Sequence, residues 1–310
     1  MMCFLRVLVA ALAASVVSGL EPTAYTASGK AIYTAPSGSR IQVDTANQES
    51  NINIRLYAPN GTLLHVFEDA GGSGGGGGGP LRRQSDSNGQ VFASLGANNT
   101  LQSFNGTFVV PPPPTTFESQ IMLFGSGYTT LDQTGAILLF AGVALQYGGS
   151  PDQGGPFYSG AAFAEFPGLG EYAIVTLPDS TEQLNVGDSV SVYMAFQGIV
   201  SVAGMDGPFY EYLTGFSGPN GDQLPNLQIT QQVNPQIVGW RVELEGAEQP
   251  SDWPTAPLVF KDFTVELTTG FPSELDWEIE GGSAVDVDFE VVNGDPTNVE
   301  IKMTFPDAAS

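Results

Sequence analysis

From Phe104 to its end the sequence repeats one kind of unit: a short run rich in Val, Ile, Leu, Phe, Tyr and Thr, cut off by Gly, Pro, Asn or Asp. The runs are Phe104–Val110, Gln120–Phe124, Ala136–Leu145, Ser189–Phe196, Asn226–Val233, Val238–Leu244, Leu258–Leu267, Val285–Val292 and Val299–Phe305. Many alternate. Val190, Val192 and Met194 are set against Ser189, Ser191 and Tyr193, which gives a strand one buried face and one open face. No run carries a capped stripe of 3.6-residue period, so helical crossovers between parallel strands are not expected. Many short strands with turn residues between them predict an all-β protein, an antiparallel β-sandwich.

The amino-terminal part is organised differently. Residues 1–20 start with Arg6, continue as an apolar run from Val7 to Val17 and close on the small residues Ser18 and Gly19, the pattern of a signal peptide. The apolar run is too short to span a bilayer, and no later segment is long and apolar enough, so a secreted, extracellular chain with no membrane partner is expected. Residues 21–70 hold two apolar runs joined at Ala58-Pro59-Asn60-Gly61, a hairpin signal carried by the Asn-Gly pair. Residues 71–83 are a glycine-rich linker ending at Pro80-Leu81-Arg82-Arg83, a dibasic pair in a setting open to a processing protease. Two readings of 21–70 follow, a pro-segment removed at Arg83 or a small β-module on a tether. Residues 84–310 would then form the sandwich.

Charge and composition narrow the chemistry. Nine Lys plus Arg face 33 Asp plus Glu, a formal net charge of −24. So acidic a surface repels phosphate backbones and anionic lipids, which excludes nucleic acid as a partner and fits a protein working in acid, where self-repulsion falls. The one cysteine, Cys3, lies in the signal segment, and the one histidine is His65. A zinc site, a thiolate nucleophile and a disulfide framework are therefore not expected, and neither a metal nor another cofactor is called for. Asp286, Asp288 and Glu290 share one strand face, but no calcium loop surrounds them, so they read as a solvated acidic face. Trp253, Trp277, Phe157, Tyr158, Tyr210 and Tyr212 are either stacking platforms for a sugar or peptide, or core anchors. Glu278 and Glu280 sit two apart on one strand with no opposing carboxylate, which disfavours a glycosidase. Asn60, Asn98 and Asn105 each begin an Asn-X-Thr acceptor for a glycan.

Against this background some segments stand out together. Gly239-Trp240-Arg241-Val242-Glu243 is followed by Ala256-Pro257-Leu258-Val259-Phe260-Lys261-Asp262-Phe263-Thr264-Val265, and preceded by Gly106-Thr107-Phe108-Val109-Val110-Pro111, Phe163-Ala164-Glu165-Phe166-Pro167 and Leu184-Asn185-Val186-Gly187-Asp188-Ser189-Val190. In kind and order these resemble the fungal glutamic peptidases, or eqolisins. The first is similar to that family's Ala-Glu-Trp-Ile-Val-Glu strand, whose last Glu is catalytic. The resemblance implies a concanavalin A-like β-sandwich and an acid endopeptidase chemistry in which a Glu and a Gln project from one concave face. The Glu serves as general base and then general acid. The Gln orients the water and donates to the oxyanion.

Carried over to this chain, the resemblance makes Glu243 the catalytic Glu. The Gln strand is matched by Ala136-Ile137-Leu138-Leu139-Phe140-Ala141-Gly142-Val143, with Leu139 or Phe140 at the Gln position. Neither can donate a hydrogen bond, and loss of one oxyanion donor costs about 100- to 1,000-fold in turnover. Gln146 and Gln120 are the nearest amides that could substitute. The family's Trp-Val-Gly-Ile-Asp-Gly segment corresponds to Ile121-Met122-Leu123-Phe124-Gly125-Ser126-Gly127, which lacks its Trp and Asp. Alternation puts Arg241, Glu243 and Glu245 on one face and Trp240, Val242 and Leu244 on the other. Arg241, Glu245, Glu165 and Phe163 are thus candidates for a substrate groove. The expected function is that of a secreted homologue of acid glutamic endopeptidases with hydrolysis impaired or lost. The alternative is a non-catalytic extracellular module binding a peptide or a cell-wall glycan.

Overall fold

The computed structural model describes residues 20–306 except 26–28, 46–51, 69–88, 97–98, 119, 133, 149–154, 168–171, 178–182, 219–223, 248 and 282–286. The expected signal peptide, the glycine tract with Arg82-Arg83, Asn98 and Asp286 lie outside the described residues.

Nineteen strands are formed among the described residues. The first five are β1 (Ala24–Tyr25), β2 (Ala31–Ala35), β3 (Ser39–Asp44), β4 (Asn53–Tyr57) and β5 (Leu63–Glu68). Next come β6 (Gly89–Ser94), β7 (Leu101–Val109), β8 (Ile121–Leu131), β9 (Ile137–Tyr147) and β10 (Tyr158–Phe166). They are followed by β11 (Tyr172–Thr176), β12 (Ser189–Val200), β13 (Phe209–Ser217), β14 (Asn226–Gln231) and β15 (Ile237–Glu245). A 3-10 turn at Pro250–Asp252 precedes β16 (Leu258–Leu267), β17 (Trp277–Gly281), β18 (Asp288–Asn293) and β19 (Val299–Thr304).

These strands make two sheets packed as a sandwich. One runs in the order β1-β2-β11-β10-β9-β8-β15-β6-β17, the other β18-β19-β16-β7-β12-β13-β14-β3-β4-β5. The all-β sandwich is thus the architecture of the chain, and its pairings are antiparallel with two exceptions. β2 runs parallel to β11 and β3 runs parallel to β14. Both exceptions come from residues 21–70, which extend one edge of each sheet rather than standing apart. The hairpin read at Ala58–Gly61 joins β4 and β5, closed by Gly61 N–H to the Ala58 carbonyl, with Gly61 at φ 83°. Asn-Gly is suited to such a turn because glycine adopts positive φ at no steric cost.

Between the sheets lies one apolar core. Trp240 of β15 is 1% exposed, and its ring lies 5.0–5.3 Å from Phe104, Phe263 and Trp277. On β16 both Phe260 and Phe263 reach this core although three positions apart. The alternation is reset by a bulge containing Asp262, at φ 55°. Asp tolerates that left-handed conformation better than most residues.

The two faces of the first sheet differ. Inward, β9 presents Leu139, Ala141, Val143, Leu145 and Tyr147, all buried in the core. Outward, three neighbouring strands meet in a row of glycines, Gly239 opposite Gly127 and Gly127 opposite Gly142. A Cβ at Gly127 would stand 2.3 Å from the Ala141 carbonyl oxygen, and one at Gly142 2.0 Å from that of Ser126. No side chain fits at these positions. The glycines let the strands approach closely there and leave a low floor on the outer face.

Candidate functional site

The outer face above that floor carries a charge cluster. Arg241 of β15 stands opposite Gly125 of β8, and Gly125 in turn stands opposite Ala144 of β9. With no side chain at 125, the long Arg241 stem lies flat across β8 towards β9 and β10. A Cβ at 125 would be 3.4 Å from the Phe163 ring and 3.7 Å from Arg241 Cγ. The guanidinium then sits 3.8 Å from the centre of the Phe140 ring and 5.6 Å from that of Phe163. One of its nitrogens, Nη2, pairs with Glu165 Oε2 and, at 2.5 Å, with Glu243 Oε1. From the amino-terminal segment, Lys30 places its ammonium 3.7 Å from the same Glu165 oxygen.

The members are sequestered. Side-chain exposure is 10% for Arg241, 8% for Glu165, 13% for Glu243 and 9% for Lys30. Two cations and two carboxylates balance formally. That is the condition under which charges tolerate removal from water. Stacking on Phe140 adds an attraction that strengthens as the cation loses its hydration. Phe140, Ala144 and Phe163 form a small apolar patch of their own, with Leu123 and Val175 packed beside it.

The expected site residues are distributed as follows. Arg241 and Glu243 share the outer face, with Trp240 and Val242 in the core. Glu165 and Phe163 join them from β10. Glu245 ends β15 opposite Ile121. Of the two positions matched to the family's Gln, Leu139 is fully buried between the sheets, whereas Phe140 lies on the outer face under Arg241. The residue directly across from Glu243 is Leu123, and Gln146 follows one strand further on. Gln146 is buried and its Nε2 donates to the Gly148 carbonyl at 3.2 Å. Gln120 is committed elsewhere: its Oε1 accepts from Glu118 N–H at 2.7 Å and its Nε2 donates to the Thr116 carbonyl at 2.7 Å. Gln120 thereby ties the loop ahead of β8.

Other expected features are placed away from this cluster. Trp253 is 3% exposed and stacks on Phe305, Tyr158 and Tyr212 are buried, and Trp277 leans on Trp240 and donates to the Gly294 carbonyl. Of the two readings of these rings, the core-anchor one holds for Trp253, Tyr158 and Tyr212, and Trp277 is half-buried against the core. Asp288 and Glu290 are exposed on β18, with Lys302 at 3.6 Å from Glu290. Glu280 accepts a hydrogen bond from Gln90. No group of three His, Cys, Asp or Glu among the described residues is placed to hold a metal ion.

Sequence reasoning missed Lys30 and the position of Phe140 under the guanidinium. It also missed the groove adjoining the cluster, an open space of about 600 Å³ including bulk solvent. Phe92, Thr129, Ile137, Phe140 and Arg241 line it, and Gly239 forms part of its floor. Gln90, Thr129 and Arg241 give it polar groups beside an apolar wall. No helix among the described residues is long and apolar enough to cross a membrane.

No protein-family model matches the chain, and no curated protein matches it. Among solved structures, the chain is similar to a crystal structure of Scytalido-glutamic peptidase with a peptide-based transition state analog. The likeness has 12% identity and a TM-score of 0.41, and covers 69% of this chain and 97% of that one. A second structure of the same peptidase with a transition state analog inhibitor gives 12% identity and a TM-score of 0.43, over 71% and 98% of the two chains. SCP-B, an eqolisin peptidase in complex with the tripeptide Ala-Ile-His, gives 15%, a TM-score of 0.40 and coverage of 71% and 98%.

Proposed function

We propose that this chain is a secreted, non-hydrolysing relative of the glutamic peptidases, which uses the outer face of its first sheet to hold an extended polypeptide. The family relationship is supported by the ordered sequence segments that end in Gly239–Glu243. The observation that carries the loss of hydrolysis is the position of Arg241. Its guanidinium lies on Phe140, the outer-face residue at the matched Gln position, and engages a Glu243 oxygen. A carboxylate whose Oε1 is committed to that pair, with Leu123 directly across from it and Gln146 one strand further on donating to Gly148, lacks an adjacent neutral amide to orient a water and hold the developing oxyanion.

A groove with an apolar wall and a few amide and hydroxyl groups suits a peptide, whose backbone needs partners and whose side chains need apolar cover. The burial of Trp253, Tyr158 and Tyr212, with Trp277 half-buried against the core, favours this over a cell-wall glycan, which calls for exposed rings. The test is retention of an unfolded, radiolabelled albumin on the immobilised protein, with insoluble β-glucan and chitin as competitors. Saturable retention of intact albumin, weakened by Phe92→Asp in the groove wall and indifferent to glycan, is expected. Retention of glycan alone, or of neither, overturns the reading.

A further inference from the structure

The amino-terminal segment does more than extend an edge. β2 pairs with β11 over five residues, from Ala31 opposite Tyr172 to Ala35 opposite Thr176. The turn at Pro36–Gly38 then carries the chain across to the other sheet. There β3 pairs with β14 over five residues, from Ser39 opposite Leu227 to Val43 opposite Gln231. Parallel pairs of this kind form no hairpin and exist only because the segment docks onto the remainder of the fold.

Its side chains are part of the main core. Ile41, Val43, Ile54 and Leu56 are at most 1% exposed and belong to the same apolar cluster as Trp240. Phe67 stacks on Tyr172 at 4.4 Å, which ties β5 of one sheet to β11 of the other across the open end of the sandwich. Side chains bind it at both ends of β3. Asn226 N–H donates to Ser37 Oγ at 3.1 Å, and Thr45 N–H donates to Gln232 Oε1 at 2.7 Å. Lys30 reaches Glu165 in the charge cluster.

We infer that residues 24–68 are an inseparable strand donor: a cut in the stretch between β5 and β6 leaves a two-chain protein held together without a covalent bond. The occupant of the β11 and β14 edges is this segment itself. Removing it would uncover two strand edges, the Glu165 carboxylate and the apolar surface under Ile41, Val43 and Leu56. Cleavage at Arg82-Arg83 would therefore leave residues 24–68 docked on the sandwich rather than release a pro-segment. The inference is independent of what the outer face binds.

The test uses the full chain with a site-specific protease sequence in place of Gly74–Gly79, and mass spectrometry to establish complete cutting. Under native conditions the two fragments should co-elute as one species of the uncut size, and separate only in denaturant. Amide exchange in β11 and β14 should stay within about two-fold of the uncut protein. Ile41→Ala in the cut protein should speed fragment release at least about 30-fold, the low end for emptying a buried Ile site. Separate elution of the smaller fragment, precipitation of the larger one on cutting, or edge-like exchange in β11 and β14 each overturns the inference.

Discussion

Replacing Arg241 by Met keeps a long, flexible stem over Gly125 and removes only the charge. Two carboxylates, Glu165 and Glu243, then lose the guanidinium on a face where their exposure is 8% and 13%, with the Lys30 ammonium at 3.7 Å from one of them. Removing one member of a buried, hydrogen-bonded charge set costs about 3–5 kcal/mol, because the uncompensated partner stays out of water. The lost stacking on Phe140 adds about 1–2 kcal/mol at a desolvated site, and the methionine side chain returns part of that through contact with the same ring. A net loss of about 3–5 kcal/mol is therefore expected, against a total of about 5–15 kcal/mol for a typical folded protein. Urea unfolding followed by circular dichroism reads the change as a shift in midpoint at constant slope. Glu243→Gln added to Arg241→Met should recover at least half of the loss, since Lys30 and Glu165 then remain as a balanced pair. An Arg241→Met protein within about 1 kcal/mol of the parent would refute the reasoning and place the guanidinium in contact with water rather than in a sealed cluster.

Gly127→Ala should destabilise by about 1–3 kcal/mol in the same unfolding assay, because its Cβ meets a backbone oxygen that cannot rotate away; a neutral result would remove the glycine row as the reason for the low floor. His65 lies 4.4 Å from the Phe67 ring and 5.5 Å from the Tyr33 ring, and burial pushes its pKa below 6.5, partly offset by the charge of Glu21. Neutral His65 therefore supports the fold above pH 6.5, and that contribution is lost as pH falls through 6.5 towards the folded-state value. As the chain's one histidine, it gives a single imidazole proton signal in an NMR titration, and a midpoint at or above 6.5 would contradict the direction. Asn60 sits in an exposed turn, its carboxamide oxygen accepting from Thr62 N–H, whereas Asn105 lies mid-strand between β12 and β16 with its oxygen held by Met194 N–H. Glycopeptide mapping of the secreted protein should find a glycan at Asn60 and none at Asn105, and occupancy at Asn105 would show that this strand forms after glycosylation.

What could be read in the sequence was local. β12 and β15 alternate because each has a core face and an outer face, so Val190, Val192, Trp240 and Val242 announce themselves by period two. The Asn60-Gly61 turn was equally visible. β9 and β10 hid their faces, since both sides are buried and the apolar run is continuous from Ile137 to Leu145. With no period, the sequence could not decide between Leu139 and Phe140 on the outer face; β8–β9 register decided it. Lys30 gave no signal, because its meeting with Glu165 depends on a parallel pairing between distant segments. The same kind of pairing docks β2 and β3 on the two sheets, which the sequence of residues 21–70 did not announce. A glycine tract and a dibasic pair describe the connection, not the docking of what precedes it.

The measurement that bears most directly on the account is proteolysis itself. Acid-denatured albumin is incubated near pH 3 with the purified protein and with Glu243→Gln, and peptide release is followed by mass spectrometry. With Arg241 on Glu243, Phe140 at the matched Gln position and Gln120 tied into its loop, both proteins are expected to release no peptides above the buffer control while still retaining the albumin. Cleavage by the parent that disappears in Glu243→Gln would contradict the account, and would make Gln146 the amide to replace next.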